Sequence, residues 1–140
     1  MLKLSTKSRY GVRFLLDLSR HPGVSSLREV SEREGISEKY LWSLVQPLKS
    51  AGMLLTARGA SGGYALAKPA DSITLREVID VLDGGIRLAD CTGSDPCQRQ
   101  DQCVMASVWA RIEAEMEQIL EQHSIASIAR EETGSGGYCI

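Results

Sequence analysis

The chain has no long hydrophobic run. Its uninterrupted apolar stretches are a few residues each, far short of the ~20 needed to cross a bilayer. Met1-Leu2-Lys3-Leu4-Ser5 has none of the apolar centre of a secretion signal, so a cytoplasmic protein in a reducing compartment is expected, with no membrane partner. Histidine is scarce: His21 and His123 are the 2 present, both in connecting or terminal segments. No Ser/His/Asp or Cys/His arrangement is therefore available, and an enzyme is not expected. The glycines at 59–63 are followed by no Gly-Lys-Ser/Thr and open no helix, which excludes the phosphate loop of a nucleotide enzyme. Net charge is also small, at -2, but it is unevenly spread. Residues 1–68 hold 11 Lys/Arg and 5 Asp/Glu, a balance of +6, whereas residues 69–140 hold 5 against 13, a balance of -8. An acidic total does not exclude a polyanion, because the local field decides, and the basic half is where DNA would bind. The alternative is that these charges are solvated helix faces. With 140 residues and 43% hydrophobic content the chain can bury one core, as a single compact domain with appendages.

Helix signals begin at Ser5-Thr6-Lys7, with Tyr10, Phe14, Leu15 and Leu18 at helical spacing over residues 6–20 until His21-Pro22-Gly23 ends the pattern. Ser26 and Glu29 form a capping box for a short helix that stops at Gly35, a residue suited to a left-handed turn. Ser37 caps a third helix whose stripe is Leu41, Leu44, Val45 and Leu48, and Pro47 is expected to kink it or split off its last turn. Two short helices around a glycine turn make a helix-turn-helix pattern. Predicted strands at 53–56 and 64–67, joined by Arg58-Gly59-Ala60-Ser61-Gly62-Gly63, add a wing in which Gly62 and Gly63 can take positive φ and approach a phosphate, with Arg58 at the base. A flexible loop is the plainer alternative. Thr74 and Glu77 cap a further helix ending at Asp83-Gly84-Gly85. Residues 86–102 lack periodicity. A long helix then starts near Cys103, with Val104, Val108, Ile112, Met116, Ile119 and Leu120 on one stripe and Glu113, Glu117 and Glu121 on the other face. Such a helix can pack on its symmetry mate and set the spacing of two recognition helices, or else cover the core of its own chain. A weaker helix at 124–130 and a mobile Gly-rich tail at 133–140 complete the expectation.

Cys91, Cys97 and Cys103 are spaced C-x5-C-x5-C in a strongly polar segment, where inert buried thiols fit poorly. Thiols at short, equal intervals in a loop can surround one centre, and soft thiolates select iron-sulfur clusters or zinc. Zinc usually takes four protein ligands with shorter steps. Cys139, in the tail, is an incidental thiol or a conceivable fourth ligand.

Leu4-Ser5-Thr6-Lys7-Ser8-Arg9-Tyr10, Ile36-Ser37-Glu38-Lys39-Tyr40-Leu41, Arg58-Gly59-Ala60-Ser61-Gly62-Gly63-Tyr64 and the three-cysteine loop before a long helix carry a resemblance. Over almost its full length the chain resembles the IscR, NsrR and RirA family of winged helix-turn-helix iron-sulfur transcriptional regulators. The resemblance implies a mainly α fold with a small β-hairpin wing and a long C-terminal dimerisation helix. Its implied parts are a DNA-binding domain at 1–83, a cluster-binding loop at 84–103, dimerisation and C-terminal helices at 104–132, and the tail. It implies a homodimer on a double-stranded DNA operator. Cys91, Cys97 and Cys103 would ligate a cluster that changes with iron supply, oxidants or nitric oxide and alters DNA affinity. Lys39, Trp42 and Ser43 stand at base-reading positions. Ser37, Tyr40, Arg58, Gly62 and Tyr64 stand at phosphate-positioning ones, within a hairpin that includes Ser61 and Gly63, and Arg28 is a further candidate. Trp42 has a second reading as a core residue at the helix margin.

Two departures bear on the cluster. Members with a two-iron cluster place a His three residues after the last cysteine, where this chain has Ala106. Some four-iron members take a carboxylate from the partner's first helix, where this chain has Arg9. Water, a small thiol, Ser8 or a carboxylate elsewhere then remain as fourth ligands. The expectation leans to a four-iron cluster with one labile iron, with a two-iron cluster as the other form. A cluster-free regulator working through thiol oxidation or a partner protein is the alternative function. An electron carrier would leave the basic half and the wing unexplained.

Overall fold

A computed structural model of the protein describes residues 3–95 and 97–131; the expected tail and Cys139 lie outside the described residues. Three hydroxyl-capped helices form the N-terminal half: α1 (Thr6–Arg20), α2 (Leu27–Glu34) and α3 (Glu38–Ser50). Ser5 accepts from Ser8 N–H, Ser26 and Glu29 form the full capping box, and Ser37 accepts from Tyr40 N–H. Each cap satisfies a backbone donor that the first turn leaves without a partner. In the capping box, hydrogen bonds from the Ser26 backbone and side chain hold the Glu29 carboxyl below the ordinary glutamate range. Gly35 closes α2 in the left-handed region at φ 66°, which sets the turn into α3. Of the two outcomes expected at Pro47, the last turn is not split off: α3 runs as one helix through it. Leu44, Val45 and Leu48 are buried on either side of it, so core packing holds the helical path, and the carbonyl deprived of its donor belongs to exposed Ser43.

The wing is β1 (Leu54–Ala57) paired antiparallel with β2 (Gly63–Leu66), Leu54 opposite Leu66 and Ala57 opposite Gly63. Both strands sit one residue from their expected limits: Met53 is buried beneath the hairpin, and Gly63 enters the ladder. A further antiparallel bridge joins β2 to the segment before α2, with Ser25 N–H donating to Tyr64 O at 2.9 Å and Tyr64 N–H to Ser25 O at 2.8 Å. After a 3₁₀ turn at Ala70–Ser72, α4 (Leu75–Asp83) starts from the Thr74–Glu77 capping box and ends at Gly84, φ 76°. Single 3₁₀ turns at Asp90–Thr92 and Gln100–Gln102 punctuate the following loop, and α5 (Val104–Glu121) and α6 (Ile125–Glu131) complete the chain.

One core gathers α1 through α4 and α6. Phe14, Leu15, Leu41, Leu44, Leu48, Ile73, Val78 and Ile125 are each 0% exposed. Ile125 N–H donates to Ile73 O and Leu75 N–H to His123 O, both at 2.8 Å, so the chain leaving α5 is stitched to the start of α4. By contrast α5 buries only Ala106; Val104 is 74% exposed and Ile119 56%, so this helix does not cover the core of its own chain. Its glutamate face is not simply solvated either. Glu117 pairs with Arg76 at 3.0 Å and Glu121 accepts from the Thr74 hydroxyl at 3.3 Å, so α5 is fastened to α4 through polar contacts. In this acidic setting burial, opposed by Arg76 and reinforced by Glu117, Glu121 and Glu77, pushes the Asp80 carboxyl above its ordinary range.

Asp17 of α1, 1% exposed, takes both nitrogens of an Arg33 fork, with Nη2–Oδ2 at 2.7 Å and Nε–Oδ1 at 3.0 Å, and Arg33 Nη2 also reaches Ser25 Oγ at 3.0 Å. Among the described residues, removing Arg33 leaves the buried carboxylate with only His21 Nδ1, 3.4 Å away, beside it. Arg33→Ala is therefore expected to lower unfolding free energy by about 3 kcal/mol in urea titrations, whereas the exposed Arg28–Glu32 pair, 78% and 66% exposed, should give no measurable loss when Glu32 is changed to Ala.

Candidate functional site

The exposed side of α3 presents Lys39, Trp42, Ser43 and Gln46, spaced i, i+3, i+4 and i+7 on one face. Trp42 is 64% exposed, which rules out its placement in the core: Leu41 and Leu44 on the opposite side fill that space. Lys39 makes no hydrogen bond or ion pair with the described residues. Ser43 donates to Tyr40 O at 2.6 Å, so its oxygen remains free to accept. Gln46, a planar amide on the same face bonded to Ser50 at 3.3 Å, and Glu38 at the helix start were missed in the sequence, although their helical spacing from Trp42 was a usable signal. Ser37 Oγ is engaged as the cap acceptor, which leaves its proton pointing away from the helix end as a donor. Tyr40 is half-buried, its ring edge-on to Tyr10 at 5.1 Å between centroids. Burial, then Tyr10 and Asp83, opposed by Arg9, raise the Tyr40 phenol above its usual range, so it is a protonated donor at neutral pH.

In the hairpin Arg58 and Ser61 are exposed, and Arg58 has no partner among the described residues. The two adjacent glycines have an internal reason that differs from the expected one. A Cβ on Gly63 would overlap the Ser25 carbonyl oxygen, and one on Gly62 would overlap the Ala57 carbonyl oxygen. Gly62 N–H already donates to Gly59 O at 3.0 Å, and Tyr64 uses both backbone groups on Ser25, so neither residue has a spare backbone donor. Of the expected pair Gly63 takes a positive φ, 157°, and Gly62 does not; the other positive-φ position in the hairpin is Gly59, φ 105°. Arg28 is exposed at the start of α2 and paired with Glu32 at 3.2 Å.

The loop brings its three thiols together. Cys91 lies half-buried in the 3₁₀ turn Asp90–Thr92, Cys97 is exposed, and Cys103 is the exposed N-cap residue of α5. All three line one cavity of about 410 Å³ with Arg99, Gln100, Gln102 and Ala106. No side chain caps the N-terminus of α5, so the positive end of its dipole lies beside the cavity. Among the described residues no three Cys, His, Asp or Glu side chains converge closely enough for one metal ion. The position three residues after Cys103 does face the thiols, but Ala106 there has no ligating atom. Ser8 is 1% exposed with its hydroxyl buried inside its own chain, and is absent from the cavity lining, which removes it from the fourth-ligand candidates.

A helix-turn-helix with a bridged hairpin beside its recognition helix defines the class: a winged-helix, DNA-binding transcriptional regulator. The profile of the family described as Rrf2, Iron-dependent Transcriptional regulator, matches residues 4–131. The chain belongs to this Rrf2 family, whose members among its relatives are transcriptional regulators and not enzymes. It is 34% identical over 133 residues to "Protein rrf2" of Nitratidesulfovibrio vulgaris, spanning 93% of this chain and 89% of that one. Among solved structures it resembles T. potens IscR, with TM-score 0.77, 32% identity and coverage of 99% and 94% of the two chains. It also resembles CymR, the global cysteine regulator of B. subtilis, with TM-score 0.75, 32% identity and coverage of 94% and 98%. Among the described residues no helix is long and apolar enough to cross a membrane.

Because Gly63 sits against the Ser25 carbonyl, Gly63→Ala should push the wing off the α2 entry while the helices stay folded. Gel-shift titration is expected to show weakened DNA binding with unchanged far-ultraviolet circular dichroism; full affinity would contradict the internal role given to this glycine.

Proposed function

We propose that the protein is a cytoplasmic homodimeric regulator whose affinity for operator DNA is set by an iron-sulfur cluster held on Cys91, Cys97 and Cys103. The observation that carries this reading is the single cavity shared by the three thiols at an uncapped helix N-terminus, a setting that favours an anionic thiolate-ligated group. Thiols that face one space without converging on one point suit a group of several metal atoms better than a single zinc ion. Such a cluster, when bound, supplies a centre that reacts with oxidants or nitric oxide and depends on iron supply. The absence of an imidazole at Ala106 favours the four-iron form, with the fourth iron on water or a small thiol.

In this reading Lys39, Trp42 and Ser43 meet base edges, and their chemistry differs: a cation for guanine, an apolar face for a thymine methyl, a hydroxyl acceptor for an amino group. Ser37, Tyr40, Arg58, Ser61 and the Tyr64 side chain bind phosphates around that face, Gly62 and Gly63 shape the hairpin, and Arg28 adds a contact after releasing Glu32. The apolar stripe of α5 and the adjoining groove of about 730 Å³, walled by Leu4, Ile86, Met116, Ile119 and Leu120, receive the second copy. That pairing sets two recognition helices about 34 Å apart, one turn of DNA. Exposed, unpaired Cys97 and Cys103, with the similarity to a cysteine regulator, favour a second reading in which thiol chemistry or a partner acts without a cluster.

Arg58→Ala is expected to weaken binding to all sequences alike and to reduce the salt slope by about 0.9 per subunit, hence about 1.8 per dimer. Trp42→Ala should leave thermal stability unchanged and alter preference at one operator position. Protein purified without oxygen should be coloured, with about four iron and four sulfide per subunit, and Cys97→Ala should lose the colour while remaining a folded dimer. Colourless, iron-free wild-type protein that still binds DNA would transfer the assignment to the thiol reading.

A further inference from the structure

Of the four glutamates along α5, Glu117 and Glu121 fasten the helix to α4 and Glu115 is exposed, while Glu113 turns to the thiol loop. Its Oε1 accepts the Leu88 N–H and, at 2.7 Å, the Thr92 hydroxyl, so the chain entering the turn that carries Cys91 and the last residue of that turn hang on one carboxylate oxygen. Thr92 Oγ1 also lies 2.7 Å from Ala89 O, but a hydroxyl has one proton, and the charged carboxylate is the stronger acceptor. Ala89 O is served in any case by Thr92 N–H at 3.2 Å. Ala106, which walls the thiol cavity, lies seven residues before Glu113, two helical turns and about 10 Å along the same face. One face of α5 thus carries both the cavity wall and the peg. Cys103 is attached to this helix covalently as its N-cap, and the Cys91 turn is hydrogen-bonded to it through Glu113.

We propose that Glu113 is a positioning residue that holds the Cys91 turn against α5, so that two of the three thiols ride on the helix assigned to dimerisation; its regulatory meaning rests on the cluster reading above. The peg explains why Cys91 is half-buried while Cys97 and Cys103 are exposed. Releasing it should free one thiol selectively, and Cys97 provides an internal reference.

The test uses full-length protein in two states. In cluster-free protein, iodoacetamide labelling of each cysteine is followed by peptide mass spectrometry. Glu113→Ala is expected to raise the Cys91 rate about tenfold, the scale of a lost charge-assisted hydrogen bond, with Cys97 and Cys103 unchanged. Glu113→Gln keeps a carbonyl acceptor and should stay near the wild-type rate. Thr92→Val removes only the loop hydroxyl, so it should raise the Cys91 rate even if Glu113→Ala fails to fold, and adding it to Glu113→Ala should give no further rise. In anaerobically loaded protein, Glu113→Ala should lose its visible absorbance to a chelator faster than wild type. If the wild type carries a cluster but Cys91 labelling is unchanged in Glu113→Ala and Thr92→Val, the peg is overturned and the cluster reading stands. If the wild type carries no cluster yet Cys91 is released by both variants, the peg stands and the cluster reading falls.

Discussion

The carboxylate of Asp17 is the constraint around which the DNA-reading half is organised. It is 1% exposed, and a charge so placed is tolerated only where a partner meets it with good geometry. Arg33 does so with two nitrogens, which ties α2 to α1, and hydrogen bonding to Asp17 keeps the guanidinium more firmly charged than an ordinary arginine. Its fork extends to Ser25 Oγ, and the Ser25 backbone is the strand on which Tyr64 of the wing is hung. A single buried ion pair thereby sets the relative placement of the first helix, the helix-turn-helix and the hairpin. Arg13 adds a second tie between α1 and α2 through Glu34 at 3.1 Å, nearer the surface.

The long helix has a different logic. An apolar stripe normally turns inward and a glutamate row outward, but α5 is attached by its glutamates and leaves Val104 and Ile119 uncovered. Polar attachment to α4 and to the thiol loop makes one rod adjoin the DNA-reading core, the cysteines and an apolar face.

Much of this was legible beforehand. The starts of α1 to α4 followed from a hydroxyl and, at Ser26 and Thr74, a glutamate three residues on; each such contact spans one turn, so spacing alone reveals it. That the three thiols line one cavity was readable because their short equal steps limit how far the loop can separate them. The unbroken path through Pro47 was not legible, since the local rule allows either a kink or a break and only the burial of Leu44, Val45 and Leu48 excludes the break. The glycine pair in the hairpin was legible only in part: Gly63 takes the expected positive φ and Gly62 does not, while the crowding of Gly63 against Ser25, far away in sequence, was not readable.

What the sequence determined by itself is therefore local: the helix limits, the turn at Gly35, the hairpin, the spacing of Cys91, Cys97 and Cys103, and through its motifs the Rrf2 family. Tertiary structure alone decided that Trp42 stands in solvent, that Ser8 is sealed inside its own chain, and that Asp17 meets Arg33. It also decided that Glu113, of the four glutamates on α5, is the one that takes the Cys91 turn. These contacts join residues 16 and 21 positions apart or more, and no periodicity encodes them, because they depend on how whole elements settle on a common core.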